Sequence, residues 1–201
     1  MDIAFNYNYL DKLLFDVNTK RENFAYFEID ETDAEIVFLR SIKHRCFGLK
    51  CGLINELDKQ TYKIKEQPKL RKGMKYYQRI VKQNDRTVKI DSFCNGLDVV
   101  YLAHYEADMR YLFPFSPTGD FYPTYVYVTR YVDGVVSEEY QVNGYQVVYE
   151  RYDKVDTNKT LYSYINYVPN GTYKVLDTGK GIFEHDSSIV YTGIERETWL
   201  E

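Results

Sequence analysis

The chain lacks the motifs by which most catalytic sites announce themselves. Its 201 residues contain no GxGxxG, P-loop, GxSxG or HExxH, so no phosphate cradle, nucleophile elbow or helical zinc pair is marked. Gly179-Lys180-Gly181 reads as a turn, because the further glycine and the helix that a cradle needs are missing around it. Cysteine is scarce and odd in number: Cys46, Cys51 and Cys94 predict reduced thiols and no disulfide. Cys46 and Cys51 are too loosely spaced for a zinc knuckle, and His44 beside them has no second pair to close a site, so no metal is expected. The histidines His44, His104 and His185 stand far apart. Neither a pair of them with Lys89 or Lys180 nor Cys46 with His104 is marked as acid–base or nucleophilic machinery. No apolar run approaches the roughly 18 residues that span a bilayer. Met1–Tyr7 has neither a basic start nor an apolar stretch behind it. The expectation is a cytoplasmic protein with no membrane contact, no cofactor and no enzymatic activity. In that setting the sequons at Asn158 and Asn170 carry no meaning.

Charge of one sign is missing overall but not locally. The net charge is −4. Residues 1–39 hold 3 basic and 9 acidic side chains, residues 40–82 hold 13 and 3, and residues 83–201 hold 10 and 18. The basic middle, from Arg40 to Lys82, reads as a solvated face that pairs with the acidic remainder. A phosphate-binding stripe is the alternative, but the acidic total argues against direct nucleic-acid binding. The acidic C-terminal two-thirds suits a basic protein partner drawn in by complementary fields. Asp30-x-x-Asp33-x-Glu35 and Glu138-Glu139 lack the ligand spacing of a calcium loop.

Tyrosine is what the chain has in excess: 22 Tyr against 11 Phe and the single Trp199. Aromatic rings favour half-buried pleated surfaces, which points to strands. They also make rigid anchors in binding surfaces. Cross-strand tyrosine ladders that only stabilise a sheet are the plainer reading.

The predicted fold is mainly β, with α+β character at the N-terminus: an antiparallel meander or sandwich-like set of sheets and one or two short N-terminal helices. Tyr9, Leu10, Leu13, Leu14 and Val17 share a face of a short helix within residues 7–18. Asn23–Ile29 alternates and reads as a strand. Thr32-Asp33-Ala34-Glu35 resembles a capping box, and Ile36, Leu39, Ile42 and Cys46 then follow a helical stripe that Gly48 could end. Ile36–Leu39 is also a strand-like run, and the helix is the favoured reading.

From residue 73 onward turn signals alternate with strand-like runs. Asn84-Asp85, Asn95-Gly96, Ser116–Asp120, Asp133-Gly134, Asn143-Gly144 and Pro169-Asn170-Gly171 separate runs such as Leu97–Tyr105, Arg110–Phe115 and Phe121–Tyr131. Asx-Gly tolerates the positive φ of a type I′ hairpin turn. The organisation expected is a segment 1–72 packed on a β domain 73–201, as one continuous globular unit. Asn95-Gly96-x-x-Val99-Val100-Tyr101 matches Asn143-Gly144-x-x-Val147-Val148-Tyr149, a faint internal repeat.

One hairpin gathers the residues expected to bind a partner: Glu138, Glu139, Tyr140, Tyr145, Tyr149, Glu150, Tyr152 and Asp153. Four tyrosines and four carboxylates fall within 16 residues around a tight turn. Strand alternation separates Tyr145 and Tyr149 from Glu150 and Tyr152.

Tyr140-x-x-Asn143-Gly144 and Tyr167-x-x-Asn170-Gly171 resemble the Tyr-x-x-Asn-Gly core of MORN-variant repeats. In length, acidity and absence of catalytic motifs the chain is similar to immunity proteins of contact-dependent growth inhibition and related polymorphic-toxin systems. That resemblance implies binding to a cognate toxin domain, commonly a basic nuclease such as an RNase, and occlusion of its active site. It carries over no functional residues. The alternative is a structural or assembly protein of a phage or secretion apparatus, and after it a nucleic-acid-binding protein or enzyme.

Overall fold

The computed structural model describes residues 6–40, 65–154, 159–168, 175–185, 189–191 and 195–200. The protein is mainly antiparallel β with one N-terminal helix among these residues. By contact density it divides into two compact units, residues 24–127 and residues 1–23 with 128–201. His44, Cys46, Gly48, Cys51, residues 41–64 of the basic middle and the Asn170-Gly171 pair lie outside the described residues.

In residues 24–127 the strands are β1 (Glu35–Arg40), β2 (Lys65–Gln67), β3 (Tyr76–Gln83), β4 (Arg86–Cys94), β5 (Leu97–Glu106) and β6 (Met109–Phe115). They lie in the order β2-β1-β3-β4-β5-β6 with antiparallel neighbours. The turns fall where the sequence places them. Asn84 and Asp85 have φ of 50° and 60°, and Asn95 and Gly96 have 61° and 146°. Asn and Asp tolerate this left-handed backbone, and such turns match the twist of the strands they join. One sheet face buries Leu39, Ile80, Ile90, Val99, Tyr101 and Leu112, with Ala103, Tyr122 and Tyr127 packed on them. The other buries Val81, Val100, Leu102, Phe113 and Phe115.

Four sequence expectations are corrected here. The simplest is Gly179-Lys180-Gly181, which lies inside a strand, Val175–His185, and is not a turn, because it pairs with residues 162–164. Asn23–Ile29 forms no strand. The segment crosses the second face as an extended strap: Phe24 stacks on Phe113 at 4.3 Å and Tyr26 meets Phe115 edge-on at 5.5 Å. Its period of two arises from side chains packing on a sheet face, with no backbone pairing. The helix expected from Ile36 is instead β1, which pairs with β3 from Glu35↔Lys82 to Arg40↔Tyr77. The capping box fails because Thr32 donates both its N–H and its hydroxyl to Asp30 Oδ1, at 3.0 and 2.6 Å. Without a cap, the β-branched and aromatic run Ile36–Phe38 takes the strand that pairing rewards. The run expected over Phe121–Tyr131 starts as a strand only at Val126, and Phe121 makes an isolated bridge to Phe115.

The other unit receives β7 (Val126–Val132) and continues through β8 (Val135–Val142), β9 (Val147–Lys154), β10 (Lys159–Tyr167) and β11 (Val175–His185). These pair in sequence order, and β12 (Ile189–Tyr191) and β13 (Glu195–Leu200) both pair with β11. Helix α1 (Tyr7–Asn23) is capped by Asn6, whose Oδ1 accepts the Tyr9 N–H at 3.1 Å. Leu10, Leu13, Leu14 and Val17 form its buried face, as the spacing predicts. Beyond them an Asp16–Lys20 pair at 3.1 Å and Lys20 and Arg21 in the last turn carry the helix past residue 18. The helix lies along the face of β8–β10 that holds Tyr140 and Tyr167. Tyr9 packs on Tyr140 at 6.2 Å and Tyr7 on Tyr167 at 5.6 Å. Tyr167 Oη donates to Asp11 at 2.6 Å.

Candidate binding surface

The β8–β9 hairpin is built around a carboxylate. Register pairs Glu138 with Arg151, Tyr140 with Tyr149 and Val142 with Val147. All six lie on the face that α1 covers, because residues directly opposite share a face. Tyr140 and Tyr149 stack at 4.8 Å with rings 9° from parallel. Their hydroxyls converge on Glu138: Tyr149 Oη donates to Oε1 at 2.6 Å and Tyr140 Oη to Oε2 at 2.8 Å. Arg130 on β7 adds a charged donor at 3.0 Å. Burial works to raise the Glu138 pKa, but the bonds from Tyr149, Tyr140 and Arg130 outweigh it and hold the carboxyl below its usual range. Burial first, and then the Glu138 charge, push both phenols far above the ordinary tyrosine value.

The opposite face holds Glu139, Glu150 and Tyr152. Glu139 and Glu150 are register partners, and both are buried. Tyr152 Oη lies 3.1 Å from Glu139 Oε2 and 2.9 Å from Glu150 Oε2. Each face of the hairpin thus joins carboxylates to phenols, and hydrogen-bonded networks of this kind fix strand register.

Of the eight residues expected to contact a partner, the hairpin brings all into one element but buries most of them. Tyr140, Tyr149, Tyr152, Glu139 and Glu150 are buried, and Glu138 is nearly so. Tyr145 is 66% exposed. Asp153 is partly exposed and pairs with Arg151 at 2.8 Å. The surface that remains is the tip. There the chain turns over Gly144-Tyr145, closed by the Asn143 N–H to the Gln146 carbonyl at 3.1 Å. Asn143 Oδ1 accepts the Tyr145 N–H at 3.0 Å, an Asx turn. Asn18 Nδ2 on α1 reaches the Gly144 carbonyl at 3.3 Å. Gly144 is absent from the residues of positive φ, whereas Asp133 and Gly134 have φ of 51° and 76°. The two Asx-Gly turns of this unit that lie among the described residues are therefore built differently.

Sequence reading missed Arg130 and Asn18, and placed Asn143 in a turn without its Asx bond. Arg130 had a signal, because the tight Asp133-Gly134 turn brings β7 back along β8 within reach of Glu138. Asn18 had none, since its partner lies 126 residues away.

Among the described residues of 24–127, four charged side chains form an ion cluster. Arg79 pairs with Glu31 of the strap and at 3.0 Å with buried Asp91, while Lys89 lies 3.4 Å from each of these carboxylates. Lys89, considered above as a base, is thus part of an ion cluster. His104 packs against Phe24 at 5.7 Å and Tyr111 at 6.1 Å. Cys94 is a free thiol. Among the described residues no three His, Cys, Asp or Glu side chains gather as a metal site would require. Nor is any helix among them long and apolar enough to cross a membrane. Comparison with family models, with curated proteins and with solved structures finds no match to this chain.

Proposed function

We propose that the protein is an immunity protein, a cytoplasmic binding module that covers the active site of a cognate toxin domain and performs no chemistry itself. The observation that carries this reading is the β8–β9 tip. Tyr145 presents its ring to solvent from a turn held by an Asx bond, a helix contact and two buried networks. A rigid aromatic anchor loses little entropy on binding, which is what a hot spot requires. Its partner is a basic domain such as a nuclease, whose phosphate-binding cleft suits an exposed phenol on an acidic chain.

The test is to co-express the chain with basic nuclease-toxin domains, follow growth, and measure binding by calorimetry. Tyr145→Ala is expected to weaken binding by about 2 kcal/mol or more, the scale of a hot spot. Binding and protection equal to wild type by the folded variant would place the interface elsewhere. A second reading, as an assembly component, draws on Val132 and Val135, 48% and 68% exposed, which flank the Asp133-Gly134 turn as an apolar pair. Concentration-dependent self-association in sedimentation, lost in Val135→Ser, would favour it.

A further inference from the structure

We propose that Asn143-Gly144 is a site of spontaneous deamidation, a chemical change that adds a carboxylate to the hairpin tip. The reaction needs three things: an electrophilic side-chain amide carbon, a following peptide nitrogen able to reach it, and stabilisation of the charge that develops. The tip supplies the polarised amide, an unshielded glycine nitrogen next to it and nearby positive charge. The Asx turn folds the Asn143 side chain back over the peptide that follows it. The Tyr145 N–H, 3.0 Å from Oδ1, polarises that carbonyl and is placed to stabilise the oxyanion of the tetrahedral intermediate. Gly144 has no side chain to shield its nitrogen. The Arg21 guanidinium lies 3.8 Å from where a Cβ on Gly144 would sit, so positive charge favours loss of the peptide proton. Asn143 Nδ2, the leaving nitrogen, is directed to Gln146 Oε1 at 3.4 Å.

The steps balance without a further reagent beyond water. The Gly144 nitrogen loses its proton and attacks Asn143 Cγ, forming the C–N bond of a five-membered succinimide. The C–Nδ2 bond breaks as the amide nitrogen takes up a proton from solvent, replacing the one Gly144 gave up, and leaves as ammonia. Water then opens the ring at either carbonyl, giving aspartate or isoaspartate. Either product places a new negative charge beside Tyr145, and isoaspartate also lengthens the backbone by one methylene.

Asn95-Gly96 is the internal control, because it has the same two residues in a different geometry. Its backbone is held left-handed at both positions, the Asn95 N–H is bonded to the Lys75 carbonyl at 2.8 Å, and its side-chain oxygen makes no Asx bond. If the tip geometry drives the reaction, Asn143 reacts faster than Asn95. If dipeptide identity alone drives it, the two react alike.

The experiment incubates the full chain in mildly alkaline buffer at physiological temperature and maps peptides by mass spectrometry, with isoaspartyl methyltransferase labelling of the products. The expected result is conversion at Asn143 ahead of Asn95. Gly144→Ala should slow it roughly tenfold, the factor that about 1.4 kcal/mol of added barrier produces. That variant keeps the fold, since the added Cβ meets only Arg21 at ordinary contact distance, and circular dichroism checks it. Arg21→Gln should slow conversion at Asn143 and leave Asn95 unchanged. Equal or slower conversion at Asn143 than at Asn95, or a folded Gly144→Ala chain that converts at the wild-type rate, overturns the proposal.

Discussion

Glu138 shows how much one side chain can organise. Two phenols and a guanidinium converge on it from three strands, and it stands among rings that leave it little water. Glu138→Gln removes the charge and turns one acceptor oxygen into a donor facing donors. The expected cost is about 1–3 kcal/mol, the range for a buried donor left without its acceptor. Tyr149→Phe should cost less, about 1 kcal/mol, because it deletes one partner without reversing any. Urea midpoints of the two variants give the comparison, and a Glu138→Gln chain as stable as wild type would show the network to be dispensable. The sequence did reveal this density of tyrosine and carboxylate. It could not reveal its use. Alternation assigns Tyr140 and Tyr149 to a common face, but whether that face meets solvent depends on α1, which is encoded more than a hundred residues earlier. So Tyr145 stays outside while Tyr140, with the same chemistry, is sealed.

At the level of elements, turns were the most legible feature, since Asx-Gly chemistry is local. Asn95-Gly96 and Asp133-Gly134 adopt the positive φ that the dipeptide permits. Asn143-Gly144 marks a turn as well, but uses its asparagine side chain instead of left-handed glycine. The difference has a measurable sign. Gly134→Ala forces a Cβ into a backbone at φ 76° and should cost about 1 kcal/mol, whereas Gly144→Ala should be close to neutral. Thermal midpoints that fall equally would contradict the distinction. The least legible elements were Asn23–Ile29 and Ile36–Leu39. In both, the local pattern was real and the partner decided its meaning. Phe24 and Tyr26 alternate onto rings of β6, and Ile36–Leu39 finds β3 to pair with. The strap is further tied by Glu31 to Arg79. Glu31→Gln is expected to raise hydrogen exchange or proteolysis within residues 24–31 while leaving β4 and β5 protected, and unchanged exchange there would show that the rings alone hold it.

For the whole molecule, the titrating groups set limits at both ends of the pH scale. The Arg79 hydrogen bond holds the Glu31 pKa down, and the bonds to Glu138 do the same for that group against burial. A depressed carboxyl contributes stability that is present above its unfolded value, about 4.3–4.5, and is lost as pH falls through the folded value. Tyr140, Tyr149 and Tyr167 are raised, mainly by burial. Their contribution is intact below about 10 and declines above it, where the unfolded chain sheds phenolic protons that the folded chain keeps. Stability should therefore fall below about pH 4.5 and again above about pH 10, with tyrosinate absorbance rising together with unfolding at the alkaline end. Tyrosinate appearing in a still-folded chain would contradict the burial of these rings. The bond from Tyr167 to Asp11 has a further consequence, for the order of events in synthesis. It joins positions 156 apart, and Asn18 to Gly144 joins positions 126 apart. A helix of 17 residues is marginal alone in water. Helix α1 therefore has no seat until β8 to β10 have been made, whereas β1 to β5 find their strand partners within the continuous stretch 24–127. In this protein α1 is made well before the strands that seat it.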